Sequence, residues 1–130
     1  MNMPPSENQS EKRGCAREKT KSPAESRLDR LASWICDARV VIWFTGAGIS
    51  TESGLPDYRG PNGVRTRARK GLPRPALKCP LDQIEPNAAH QAIVKFEKIG
   101  KCDFLISQNV DNLHLKSGYP FEKLAELHGN

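Results

Sequence analysis

A buried strand that ends on two closely spaced glycines is the feature that most constrains this chain. Residues 40–44 (VVIWF) are β-branched or aromatic with no polar alternation, which is typical of a parallel strand buried on both faces. The run leads into Gly46-Ala47-Gly48, and a G-x-G turn after such a strand lets a pyrophosphate approach backbone amides. The same glycines also suit a tight turn without a ligand, so both interpretations stay open here.

The spacing after these glycines differs from that of a dehydrogenase. Thr51 stands where the pattern G-x-G-x-x-G has its third glycine. The ribose-binding acid expected about 20 residues further on, after a second strand, is also missing. The sequence therefore disfavours a hydride-transferring Rossmann enzyme.

The predicted elements alternate as helix, strand, helix and strand. Ser22 and Glu25 form the capping box of a first helix, whose apolar residues recur at helical spacing. A second helix begins after the cap Asn87 and ends at Gly100, before another apolar strand at residues 103–107. This order predicts an α/β fold with a Rossmann-like parallel sheet and helices on both faces. The last residues, from Glu122 onward, are predicted to form a short helix or strand.

Composition indicates one small domain without a membrane span. The chain has 130 residues, and no run approaches the ~18 apolar residues that a spanning helix needs. We expect a disordered polar tail at residues 1–21 and a folded part at residues 22–130.

The four cysteines are scattered along the sequence. This disfavours a disulfide framework or a zinc site within the chain and indicates a reducing, intracellular compartment. Cys36 is predicted to lie in the core.

One segment carries much of the net charge of +5. Its basic residues are uninterrupted by any acid: Arg65, Arg67, Arg69, Lys70, Arg74 and Lys78. Such a segment meets phosphate, nucleic acid or an acidic protein surface. The alternative, favoured by the lack of interleaved aromatic residues, is a solvated, mobile loop.

The stretch SGLPDYRG places three chemically different side chains next to one another. Asp57, Tyr58 and Arg59 offer a carboxylate, a ring and a guanidinium directly after a proline. A loop that folds over a cofactor needs such groups for an amide or hydroxyl, for an apolar ring and for phosphate. The alternative is a local surface ion pair between Asp57 and Arg59.

Polar residues also follow the second predicted strand, namely Gln108, Asn109 and Asp111 around Val110. The carboxyl end of a parallel strand is where α/β sheets bind ligands, and amides with a carboxylate suit ribose hydroxyls and a carboxamide. An Asx turn in which Asp111 caps the following residues is the alternative.

Three histidines complete the candidates. His90 lies within the second helix and is predicted to be structural, and His114 is placed to support the preceding polar turn. His128 precedes Gly129 at the predicted rim of the crevice, where an imidazole suits a general base because histidine titrates near neutral pH. The pattern alone does not distinguish His128 from a surface histidine.

Three blocks in this order, TGAGISTESGLPDYRGPNGV, SQNVDNLH and ELHGN, resemble the N-terminal motifs of the sirtuins, the NAD-dependent protein deacylases. The resemblance covers about residues 26–130 and is strongest to the branch containing the nuclear sirtuins, with bacterial members also similar. Arg65 departs from that branch, which commonly has tryptophan at this position. The resemblance implies that His128 is the catalytic base. It also implies NAD contacts at Gly46, Ala47, Gly48, Ser50, Leu55, Asp57, Tyr58, Arg59, Gln108, Asn109, Val110 and Asp111.

The resemblance further implies a reaction in which NAD is consumed. The carbonyl oxygen of an acyl-lysine attacks the nicotinamide ribose, and the products are nicotinamide, free lysine and O-acyl-ADP-ribose. The implied partner is an acylated-lysine protein, with nucleic acid or chromatin left open, in the cytoplasm or nucleus. The alternatives are mono-ADP-ribosyl transfer to a protein and a catalytically inactive NAD-binding fragment.

The family's zinc module would follow His128. Its four cysteine ligands are absent from this sequence, so the resemblance implies the N-terminal part of a sirtuin catalytic domain.

Overall fold

The computed structural model describes residues 22–77 and 79–129, so the tail predicted at residues 1–21 lies outside the described residues. Within the described parts, no helix is long and apolar enough to cross a membrane. The helices are α1 (Pro23–Asp37), α2 (Val64–Arg69), α3 (Ala88–Lys98) and α4 (Leu113–Lys116), and the strands are β1 (Ile42–Thr45), β2 (Phe104–Ser107) and β3 (Leu124–Glu126). Single 3-10 turns occupy Ala47–Ser50, Leu81–Gln83 and Phe121–Lys123.

The three strands form a parallel sheet in the order β1-β2-β3. Thr45 lies opposite Ser107, and Ser107 lies opposite Glu126, so the carboxyl ends of the strands are level. This arrangement confirms the α/β class with a parallel sheet. It also shows that the C-terminal segment contains a strand.

One face of the sheet packs against α3. Trp43, Leu105 and Leu124 are direct partners across the strands and therefore point to the same side. They meet Ile93 and Val94 of α3 in the core, where Leu105 is fully buried. This packing fixes the position of α3 on this face of the sheet.

The other face of β1 is open. Ile42 and Phe44 alternate with Trp43 and are each 59% exposed. The prediction that residues 40–44 are buried on both faces is therefore wrong for the described structure. An apolar run reports β-propensity, but it does not report whether a second layer covers the strand.

Helix α1 begins as predicted but buries none of its residues. Ser22 Oγ accepts from the Glu25 amide at 3.2 Å, and Glu25 Oε2 accepts from the Ser22 amide at 2.6 Å, which confirms the capping box. Cys36 is exposed, so its predicted core position is wrong. At this end Lys101 Nζ donates to the carbonyl oxygens of Cys36 and Ala38 at 2.7 and 3.2 Å, which ties α1 to the residues before β2.

Helix α3 also has the predicted ends. Asn87 Oδ1 accepts from the Ala89 amide at 2.9 Å, and Gly100 follows the helix with a φ of 70° that favours glycine. The basic, proline-rich segment differs from its prediction as a loop because residues 64–69 form α2. The prolines that flank it, at positions 61, 73 and 75, concealed this short helix.

Replacing Leu105 by alanine is expected to lower the free energy of unfolding by about 2–5 kcal/mol, because the cavity would open in the fully buried centre of the sheet. Urea denaturation followed by tryptophan fluorescence measures the change. Leu28→Ala is the matched control: Leu28 is 65% exposed on α1, so the expected loss is below about 0.5 kcal/mol. Equal losses in both variants would contradict the observed core.

Candidate functional site

A cleft of about 1170 Å³ lies where β1 and β2 end. It is lined by residues 43–49, 57–60 and 108–110, by Ala89, Ala92 and Ile93 of α3, and by His128. Small-molecule pockets are commonly about 300–1,000 Å³, so this open cleft is large enough for a dinucleotide. The three polar segments selected from the sequence therefore converge on one space.

Two glycines in the cleft have no steric reason to be glycine within the chain itself. Gly46 is extended, Gly48 lies in a 3-10 turn, and neither has a positive φ. A Cβ added at either position would meet no atom within 4 Å. Gly60 contrasts with them, because a Cβ there would collide with the Asp57 carboxyl group. The missing side chains at 46 and 48 thus leave room in the cleft instead of serving the backbone.

A hydrogen-bonded group joins the glycine turn to the turn after β2. Ser50 Oγ donates to Asp111 Oδ2 at 2.6 Å. Asn109 Nδ2 donates to the Gly46 carbonyl oxygen at 3.2 Å and to Ser50 Oγ at 3.3 Å. Asp111 Oδ1 also accepts from the Leu113 amide at 3.1 Å, so the predicted Asx turn is present. These contacts hold the two polar segments at a fixed separation.

Three predicted site residues do not line the cleft. Ser50 and Asp111 lie behind its wall in the group just described. Leu55 lines a smaller neighbouring pocket of about 390 Å³, together with Thr51, Pro56 and Asp57. The other predicted residues, from Gly46 to His128, all face the cleft.

A second buried group, behind the strand ends, was not predicted from the sequence. Thr45 Oγ1 donates to Ser107 Oγ at 3.0 Å, and Ser107 Oγ also accepts from the Asn109 amide at 3.1 Å. His114 Nε2 lies 2.8 Å from Thr45 Oγ1. Because the Thr45 hydroxyl hydrogen goes to Ser107, Nε2 of His114 carries the proton and donates to Thr45. His114 therefore supports the end of β1.

His114 lies against a second buried histidine. The ring centroids of His90 and His114 are 5.0 Å apart, and both side chains are at most 2% exposed. Burial, with His90 as its neighbour, lowers the pKa of His114 to about 4, although Asp111 opposes this shift. Burial also lowers the pKa of His90. Both imidazoles are thus neutral at pH 7 and serve as structural hydrogen-bonding groups.

His128 is held at the rim by a backbone contact. It follows β3, and its Nδ1 lies 2.8 Å from the Gln108 carbonyl oxygen. A carbonyl oxygen only accepts, so Nδ1 carries the proton and Nε2 keeps a lone pair in the neutral ring. The side chain is exposed and lines the cleft, as a general base requires.

The loop from Asp57 to Arg59 is tied to helix α2. The amides of Val64 and Arg65 donate to the carbonyl oxygens of Asp57 and Tyr58, each at 2.9 Å. Tyr58 and Arg59 are exposed side chains at the cleft. No ion pair joins Asp57 to Arg59 in the part of the chain that the structure describes, and Asp57 Oδ1 instead accepts from the Gly60 amide at 3.0 Å.

Comparison with known proteins decides the family. Residues 74–130 match the model of the Sir2 family, and 104 residues are 51% identical to NAD-dependent protein deacetylase SRT1 of Oryza sativa subsp. indica. The chain belongs to the Sir2 family. It is also 44% identical over 104 residues both to sirtuin-7 of Rattus norvegicus and to Sirt6 of Drosophila melanogaster. These matches confirm the predicted placement in the branch of the nuclear sirtuins.

This chain covers only part of the length of these relatives. The matches include 80% of this chain but 22% of SRT1, 25% of sirtuin-7 and 32% of Sirt6, so the chain spans about a quarter of their length. No group of three or more potential metal-binding side chains occurs among residues 22–77 and 79–129.

Solved structures agree on the fold. A Sir2 complex with a deacetylated p53 peptide and 3′-O-acetyl ADP ribose matches with a TM-score of 0.66 at 32% identity, covering 79% of this chain and 47% of that chain. A complex of Sir2 with a p53 peptide and NAD+ gives a TM-score of 0.62 at 32% identity, covering 79% and 46%. The sheet is therefore part of a Sir2 α/β fold.

The neutral histidines make stability depend on pH. The folded-state pKa of His114, about 4, lies below the ordinary 6.5, so its contribution is complete above pH 6.5 and is lost as the pH falls towards 4. We expect protonation of this histidine alone to lower the free energy of unfolding by about 3 kcal/mol over that pH interval. His114→Gln keeps a donor for Thr45 but does not titrate, so its urea-unfolding free energy should fall less steeply below pH 6.5. Identical pH slopes in the two proteins would contradict the assignment.

Proposed function

We propose that this chain supplies the NAD-binding and proton-accepting part of an NAD-dependent protein-lysine deacylase. The observation that carries the proposal is the open space at Gly46 and Gly48 inside the cleft. The chain itself does not need glycine at these positions, whereas a closely approaching pyrophosphate does. The curated relatives that carry the name NAD-dependent protein deacetylase support this assignment.

The residues present fit NAD. We place its phosphates at Gly46 and Gly48 with Arg59 beside them, since a guanidinium suits phosphate. The side chain of Gln108 is placed on a ribose, and those of Asn109 and Val110 are placed at the nicotinamide end, with Ala47. Ser50 and Asp111 act from behind by fixing Asn109 through hydrogen bonds. Leu55 lies in the smaller neighbouring pocket. In this proposal it forms the apolar side of the nicotinamide pocket from there.

Each polar group then has a defined task. In the proposed reaction the bond between the nicotinamide and the ribose of NAD is broken. Nε2 of His128, which carries the lone pair of the neutral ring because Nδ1 donates to the Gln108 carbonyl oxygen, takes a proton from a ribose hydroxyl. The Tyr58 ring covers the reacting ribose and excludes water. The Asp57 carboxyl group holds this loop closed on itself through the Gly60 amide.

The proposed substrate is a protein with an acylated lysine. The matched Sir2 structures contain a p53 peptide, and one of them contains it in the deacetylated form. The products would be free lysine, nicotinamide and O-acyl-ADP-ribose. An intracellular site of action, in the nucleus or cytoplasm, belongs to the same proposal.

Gly48→Ala is expected to weaken NAD binding by at least about tenfold, because the methyl group fills space reserved for phosphate, while the melting temperature stays the same or rises slightly. Titration calorimetry of the 130-residue chain with NAD and with ADP-ribose measures this effect. Gly60→Ala is the contrasting variant, since its Cβ collides with Asp57 and the melting temperature should fall. An unchanged affinity for both ligands in Gly48→Ala would overturn the proposed phosphate position.

His128→Ala should reduce deacylation by at least about 10²-fold while changing NAD affinity by less than about threefold, because the imidazole is proposed to move a proton and not to bind. The assay uses the longest natural polypeptide that contains this sequence, with NAD and an acetyl-lysine peptide. Formation of O-acetyl-ADP-ribose is followed by mass spectrometry. Nicotinamide release that needs no acylated peptide, with ADP-ribose attached to protein, would indicate ADP-ribosyl transfer and contradict the deacylase proposal.

A further inference from the structure

The chain between Asp57 and Asp82 carries only positive charge. Residues 58–81 contain seven arginines and lysines and no aspartate or glutamate. Four of these cations are described, exposed and outside the cleft, and they are Arg65, Arg69, Lys70 and Arg74. We call these four residues the basic surface. Within residues 22–77 and 79–129 none of the four forms a salt bridge, so their charge faces solvent.

A compact reversal of the chain brings the basic surface together. Arg65 and Arg69 are four residues apart on α2, so they share one side of the helix. After the helix the Leu72 amide donates to the Arg67 carbonyl oxygen at 3.0 Å. The Arg67 guanidinium Nε then donates to the Pro73 carbonyl oxygen at 2.7 Å, which holds the residue before Arg74 against α2. Arg67 thus has a structural task, and the other four cations stay available.

We propose that the basic surface binds the phosphate backbone of double-stranded nucleic acid. Guanidinium groups bind phosphate with paired hydrogen bonds, and three of the four side chains are arginines. Neutralising several phosphates releases counterions, which supplies sequence-independent affinity. Because this segment contains no aspartate or glutamate, it has no carboxylate that would repel the phosphates.

The absence of rings favours a duplex over a single strand. Residues 60–80 contain no phenylalanine, tyrosine or tryptophan. Single-strand-binding surfaces use aromatic side chains on which bases stack, and protein interfaces use aromatic anchors in buried pockets. A surface with cations and no rings matches the outside of a duplex, which presents phosphates and hides its bases.

The surface is separate from the NAD cleft, so its binding is tested without NAD. Fluorescence anisotropy with a labelled DNA duplex of about 20 base pairs is measured for the 130-residue chain over a range of salt concentrations. The test variant combines Arg65→Gln, Arg69→Gln, Lys70→Gln and Arg74→Gln. Its affinity should fall at least about tenfold, and the slope of log K against log salt should become shallower by about 3.6, which is about 0.9 for each of the four lost phosphate contacts.

A control variant removes the same charge elsewhere, through Arg27→Gln, Arg39→Gln, Lys95→Gln and Lys98→Gln. It should retain the wild-type salt slope within about 1. Equal losses in the two variants would show that only net charge matters and would overturn the proposal. Tighter binding of a single strand, or binding of polyglutamate but not of the duplex, would also overturn it, the latter in favour of a basic surface for acidic proteins. Circular dichroism of both variants at the assay temperature ensures that a loss of binding is not a loss of folding.

Discussion

The parallel pairing of β1 with β2 is the constraint on which the rest of the structure depends. Because Thr45 lies opposite Ser107, the segments that follow the two strands emerge at the same edge of the sheet. The Gln108 amide extends the pairing by donating to the Thr45 carbonyl oxygen at 3.1 Å. A shift of one residue in this register would turn Asn109 away from Ser50 and separate the glycine turn from the polar turn.

The local elements were predictable because their signals are local. The capping box at Ser22 and the cap Asn87 act over three residues, and both are found where the sequence places them. Burial was less predictable because it depends on what packs above an element. The apolar residues at 40–44 and Cys36 have core-like identities, yet the described structure leaves Phe44 and Cys36 exposed.

The candidate site divides in the same way. The sequence motifs predict residues such as Gly48, Arg59 and His128 as site residues, and these three line one cleft. The motifs do not indicate Thr45 or Ser107, whose roles come from a hydrogen bond between residues 62 apart in sequence. Threonine and serine at strand ends are common, and only the three-dimensional neighbourhood shows that these hydroxyls connect His114 to the amide of Asn109.

Hydrogen bonds from α2 restrain the loop at residues 57–59, which lines the cleft. The amides of Val64 and Arg65 and the Thr66 hydroxyl all bond to carbonyl oxygens of residues 57–59. The loop therefore cannot move independently of α2 unless these three hydrogen bonds break. If they persist, a movement of Tyr58 also moves α2, because the loop and the helix form one rigid unit. The position of the Tyr58 ring at the cleft is therefore tied to the position of α2.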